Sequence, residues 1–191
     1  MNKRRTSLFF FAFSMVFFYL PLVVLVIYSF NEGKAMVWQG FSLKWYKELF
    51  MYSEDIWRSF KYSIFIAIFS GLLSTTLGTL GAIGLHWYKF RYKKYLEVIG
   101  YLPLIVPDII MGVSLLILFV TVRLELGLAS IFIVHTTFNI PFVLFIVLSR
   151  LAEIDYSIVE AAYDLGATEM QALKKVIIPM LMPAIISGFL I

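Results

Sequence analysis

One carboxylate in this sequence sits where charge is expensive. Asp108 is the only charged residue in the 25-residue run 98–122. At the centre of a membrane helix such a group costs about 2.5–3.5 kcal/mol on insertion scales, so an intramembrane Asp marks a function by default. Two kinds of group would offset the cost: a cationic substrate passing along a pathway, or a Lys or Arg of a partner subunit. Pro103 and Pro107 come just before it and lack backbone donors, which predicts a broken helix in this stretch. Membranes tolerate freed carbonyls only where protein or a cavity covers them, so residues 98–122 are the predicted place for a pathway.

The second stretch with chemistry is 160–179, EAAYDLGATEMQALKKVIIP, a polar segment between two apolar ones. Ser157 and Glu160 have capping-box spacing, and Ile158, Ala162 and Leu165 follow at i, i+4 and i+7, which predicts one short helix. Gly166 falls where that helix would end in a residue tolerant of positive φ. Thr168 with Gln171 offers a second capping box before Met170, Leu173 and Ile177, and the second helix is expected to stop near Pro179. A DNA-reading helix-turn-helix would need a basic surface, yet residues 150–175 carry five acidic and three basic residues. No nucleic-acid partner is expected.

Other chemistries lack their residues. The sequence has no HExxH, P-loop or GxSxG pattern and no cysteine, so it is not read as an enzyme, and no cofactor or metal site is expected. His135 has no companions of ligating type and is read as a packing or hydrogen-bonding residue.

The elements that must carry these residues are membrane spans. Of 191 residues 61% are hydrophobic and 15% charged, and the mean hydropathy is +0.90, far from a soluble domain. The net charge of +4 is dispersed over loops. Uncharged runs predict spans at about 6–31, 62–85, 98–122 and 126–149, with a fifth run at 176–191 that reads as incomplete. Lys3, Arg4 and Arg5 precede the first run, which is too long for a signal-peptide core, so a retained anchor with a cytoplasmic N-terminus is expected. Loops assigned to the inside hold ten Lys and Arg, and those outside hold six, in agreement with the positive-inside rule. Gly78, Gly81 and Ser74 predict close helix packing. In the outer loop 32–61, Leu43, Tyr46, Leu49 and Phe50 recur at helical spacing beside Trp45, which predicts a short interfacial helix.

Glu160-Ala161-Ala162, three residues, Gly166, nine residues, then Val176, Ile178 and Pro179 resemble the EAA loop of membrane subunits of binding-protein-dependent ABC importers. Val176 and Ile178 depart mildly from the family's Ile and Leu. The resemblance implies an all-α polytopic bundle of the type I importer permease fold, in one domain, truncated in the fifth span. It also implies that 150–179 is a coupling loop, in which Glu160, Ala161, Ala162, Asp164, Gly166 and Pro179 meet a cytoplasmic ABC ATPase. A second permease subunit and an extracytoplasmic substrate-binding protein would complete the assembly in the bacterial inner membrane. Trp38-Gln39-Gly40-Phe41, Lys44-Trp45-Tyr46, Pro107-Asp108-Ile109, Pro141-Phe142-Val143 and Ser149-Arg150-Leu151 are further similar to the permeases of polyamine importers. That similarity implies a spermidine or putrescine pathway including Asp108 and Trp45. Permeases for iron, sulfate or phosphonate share parts of these motifs and stay open, as does a non-transporting fragment.

Overall fold

The computed structural model describes residues 3–34 and 37–191. The side chains of Lys3, Arg4 and Arg5, on which the N-terminal orientation partly rests, lie outside the described part. Among the described residues the fold is all-α, the one exception being an isolated antiparallel bridge between Asn31 and Phe41. The chain divides into two compact units, Met1–Phe60 and Lys61–Ile191.

The first unit begins with α1, Lys3–Tyr28, whose apolar stretch Thr6–Tyr28 buries none of its residues. A helix of this length that is apolar all round belongs in lipid. Behind it the loop is tied down by side chains. Asn31 donates from Nδ2 to the Val37 carbonyl (2.9 Å) and accepts from the Gln39 N–H (2.8 Å). The Trp45 indole donates to the Asn31 carbonyl (2.9 Å). Phe30 stacks on Phe41 and Tyr46 at 5.3 and 5.2 Å. Trp45 and Tyr46 stand on α2, Lys44–Tyr52, the short helix that the apolar spacing predicts.

The second unit holds most of α3, Glu54–Trp87, followed by α4, Lys93–Ile105, α5, Asp108–Thr121, and α6, Leu128–Glu153. Then come α7, Ser157–Asp164, α8, Glu169–Ala172, and α9, Ile178–Phe189. The core is a seam where α6 packs on α9, with Val143, Val147, Leu151, Leu181 and Ala184 buried. Small residues allow the close approach. A β-carbon on Gly78 of α3 would stand 2.7 Å from Val143 Cβ, and one on Gly188 of α9 3.2 Å from Val143 Cγ1. Without a strong hydrophobic drive between helices in lipid, such glycine contacts supply the packing. Among the described residues four helices are long and apolar enough to cross a membrane, and α4 with α5 makes a fifth candidate, bent by 110°.

Two expectations about proline need correction. The helix does not stop at Pro179. Residues 173–177 form one π-helical turn, and the helix runs on through Pro179 and Pro183 to Phe189. Widening the turn relieves the clash between the proline ring and the carbonyl four residues earlier. Likewise Pro103 stays inside α4, so the break between α4 and α5 belongs to Pro107 alone. Asp108 is therefore the first residue of a helix and not the middle of one. Its charge sits at the positive end of the α5 dipole, which favours it by about 0.3–1 kcal/mol.

Candidate functional site

The polar segment 150–179 is built from the end of α6 outward. Arg150 in the last turn of α6 pairs with Glu153 (Nη1 to Oε2, 2.9 Å), a solvent-exposed pair of small energetic weight. The chain leaves the helix at Ile154 in extended conformation. Asp155 then takes over the capping role that the spacing gives to Ser157: the Ser157 N–H donates to Asp155 Oδ1 at 3.0 Å. Those hydrogen bonds from Ser157 hold the Asp155 carboxyl below its ordinary range.

The end of α7 explains the glycine. The Gly166 N–H donates to the Tyr163 carbonyl (2.8 Å) and the Ala167 N–H to the Ala162 carbonyl (3.0 Å). These two bonds make a Schellman motif with Gly166 at C′, at φ +83°. Ala162 and Ala167 are the half-buried pair beneath that turn. The second capping box forms as the spacing predicts, with Gln171 N–H to Thr168 Oγ1 at 3.3 Å and Thr168 N–H to Gln171 Oε1 at 3.0 Å. Both helix ends are therefore held by local bonds that need no tertiary partner.

Burial overturns one detail of the expected apolar stripe. Val159, at 1% exposure, anchors α7 in the core beside Leu151 and Ile177. Ile158 and Leu165 face outward, and Leu165 is 89% exposed. The Schellman turn decides this, because it swings the residue before Gly166 away from the body. Glu160, Ala161 and Asp164 share the exposed side of α7, and Met170 on α8 is also exposed. Leu165 and Met170 are thus exposed apolar residues on a hairpin that also carries Glu160, Asp164 and Glu169. The sequence spacing read Leu165 and Met170 as members of the two apolar stripes and not as an exposed tip; an apolar residue abutting a helix-ending glycine is the signal that would have found Leu165 exposed.

Under the hairpin lies a cavity of about 280 Å³, walled by Trp87 and Tyr88 at the end of α3, Tyr156 and Tyr163 of the α7 region, and Glu169 and Met170. Desolvation, with Tyr156, Glu169 and Tyr88 nearby, raises the Tyr163 phenol above its usual value. Pro179, the last residue of the motif, is exposed in the first turn of α9. The hairpin thus continues through the π turn into α9, a helix of the core seam.

Asp108 is exposed at the start of α5, directly after the 110° bend. Trp45 belongs to the other compact unit, where its indole ties the loop through Asn31 and Lys34 and Lys44 lie 5.5 and 5.4 Å from its ring centroid. That is cation-binding geometry engaged by the chain's own lysines.

Residues 74–191 match the sequence family described as binding-protein-dependent transport system inner membrane component. The chain is 38% identical over 176 residues to the spermidine/putrescine transport system permease protein PotC of Escherichia coli strain K12, covering 92% of this chain and 66% of that protein. It is 40% identical over 176 residues to the PotC protein of Haemophilus influenzae, covering 92% and 68%. To the putrescine transport system permease protein PotI of Escherichia coli strain K12 it is 39% identical over 183 residues, covering 92% and 65%. The chain therefore spans about two thirds of the length of these relatives.

Proposed function

Because the chain belongs to the binding-protein-dependent transport system inner membrane components, we propose that it is the permease subunit of an ATP-driven importer whose cargo is a polyamine of the spermidine/putrescine class. The observation that carries the reading is the α7–α8 hairpin. It presents Glu160, Ala161, Asp164 and Leu165 outward on a locally capped scaffold that runs on into the core helix α9. A cytoplasmic ATPase would receive this tip in a groove. Closure of two ATPases would push α7 and α8, and α9 would carry the displacement into the spans, rocking them between inward and outward access. A second permease and an extracytoplasmic binding protein complete the cycle. Ten Lys and Arg fall on the N-terminus, the loop 86–94 and the segment 150–175 taken together against six on the other loops, which supports placing these three in the cytoplasm.

The names of the relatives support the cargo, and Asp108 supplies matching chemistry. A polyamine is a flexible cation, and a carboxylate beside a broken helix gives it a partner along a pathway. Trp45 offers a π-face near the membrane surface, now held by lysines, which a cationic substrate would compete for.

Uptake of labelled spermidine, with ATPase, second permease and binding protein co-expressed, tests the reading. Asp108→Asn keeps size and removes charge, and it should lower uptake while leaving the amount of purified complex unchanged. Asp108→Glu should keep part of the activity. A loss of complex in step with uptake would assign Asp108 to a subunit contact instead. Full uptake by the Asn variant at limiting substrate would remove it from the pathway altogether.

A further inference from the structure

A cavity of about 340 Å³ opens where the end of α3, the start of α4 and the end of α6 meet. This volume falls in the range of small-molecule sites, about 300–1,000 Å³. Lys93 and Glu97 line it together, one helical turn apart on α4 and both half-buried. Residues at that spacing face the same side and commonly pair. Here they do not: the ion pairs among the described residues are Arg58–Asp55 and Arg150–Glu153. The cavity therefore holds a positive and a negative group side by side, each without an ionic partner. His86 and the Ser149 hydroxyl add polar groups to the wall. The rest of the wall is largely apolar: Leu85, Leu148 and Ala152 beside Tyr101, which stacks on Phe145 with centroids 3.9 Å apart.

Its position is that of a membrane interface. The helices α3 and α6 are spans, and both end beside it. The loop after α3 carries Lys89 and Arg91, and Lys94 stands beside Lys93 in the first turn of α4. On α4 no residue is buried, and Leu96, Ile99 and Leu102 are exposed, an apolar track suited to acyl chains.

We propose that this cavity holds the headgroup of a zwitterionic aminophospholipid, with phosphatidylethanolamine as the occupant. Lys93, with Ser149 and His86, receives the phosphate, and Glu97 receives the ammonium. Charge complementarity argues for this lipid class: phosphatidylglycerol offers the same phosphate to Lys93 but only a neutral glycerol, and no cation, to Glu97. A trimethylated headgroup keeps the charge but cannot donate hydrogen bonds to the carboxylate. The site lies apart from Asp108 and the hairpin tip in sequence, and its occupancy is read without any transport measurement.

The test is lipid retention. The full chain is reconstituted in vesicles of equal parts phosphatidylethanolamine, phosphatidylcholine and phosphatidylglycerol with identical acyl chains, re-purified, and its bound lipid identified by native mass spectrometry. Phosphatidylethanolamine should be retained about fivefold over the other two, the scale expected of one surface charge contact. Glu97→Gln should abolish that preference over phosphatidylcholine, and Lys93→Gln should lower retention of every phospholipid by about fivefold. Lys94→Gln, on the same turn but not lining the cavity, should change neither, and circular dichroism should show all variants equally helical. Equal retention of the three lipids by the natural chain would overturn the proposal. So would enrichment of phosphatidylglycerol that survives Glu97→Gln.

Discussion

Two prolines in similar apolar surroundings have opposite consequences. At Pro107 the preceding Val106 is extended, at φ −75° and ψ 131°, and the chain turns through 110°. At Pro179 the preceding Ile178 stays helical, at φ −58° and ψ −45°, and the helix continues. The residue before proline is disfavoured in the α region in both places. What differs is the packing. Around Pro179, Ala172, Ile177, Leu181 and Ala184 are buried, so α9 is held against α6 and a π turn absorbs the steric conflict. Around Pro107, α4 buries no residue and α5 only Phe119. There the chain follows the local preference and the helix breaks, whereas Pro103 in the same unburied α4 is accommodated within the helix.

The largest effect should come from weakening the packing that overrides Pro179. Leu181 is fully buried on the α6 side of α9, and Leu181→Ala should destabilise the bundle by about 2–5 kcal/mol through the cavity it leaves. If packing keeps α9 straight, spin labels at residues 169 and 189 should show a shorter, broader distance in this variant. An unchanged narrow distance would mean that the π turn alone suffices.

Pro107→Ala examines the other side. Removing proline relieves a helix-interior penalty of about 3 kcal/mol, so labels at residues 95 and 118 should move apart as a straighter population appears. Retention of the full bend would assign it to Asp108 or to the surroundings of α5.

Gly166→Val asks whether the hairpin before Pro179 is autonomous. A β-branched residue at φ +83° costs about 1–2 kcal/mol, so α7 should lose its defined end while α9 stays in place. ATPase co-purification should fall with insertion unchanged; normal recovery and uptake would show that the tip does not depend on the Schellman turn.

The smallest effect concerns the α7 start. Hydrogen bonds from Ser157 lower the Asp155 pKa from 3.8. Its contribution is therefore present above the unfolded value and lost as pH falls through the lower folded one. Hydrogen exchange at the first α7 amides should be insensitive to this group near neutrality, after correction for intrinsic rates, and accelerate below about pH 4. Asp155→Asn should flatten that dependence; a dependence that persists would belong to another group.

Local and long-range information divide along physical lines. Apolar runs show as helices because a membrane chain must satisfy its backbone within each segment. The Thr168–Gln171 box, the glycine turn and α2 were legible because each depends on residues within one or two turns. The match of Glu160, Ala161, Ala162 and Gly166 to an importer motif was legible for the same reason: its spacing is the spacing of one Schellman-ended helix. Periodicity could not say that Val159 and not Leu165 would be the buried anchor, since both lie on plausible stripes and only the seat of α7 against Leu151 and Ile177 chooses between them. Nor could it say which proline would break its helix. Five of the six lie within helices, Pro21 and Pro103 among them although the apolar stretch of α1 and the whole of α4 bury no residue, and Pro107 alone sits at a break. At Pro179 it is the tertiary structure that supplies what the local sequence lacks, because α9 is seated against α6 through Leu181 and Ala184 while the π turn absorbs the steric conflict.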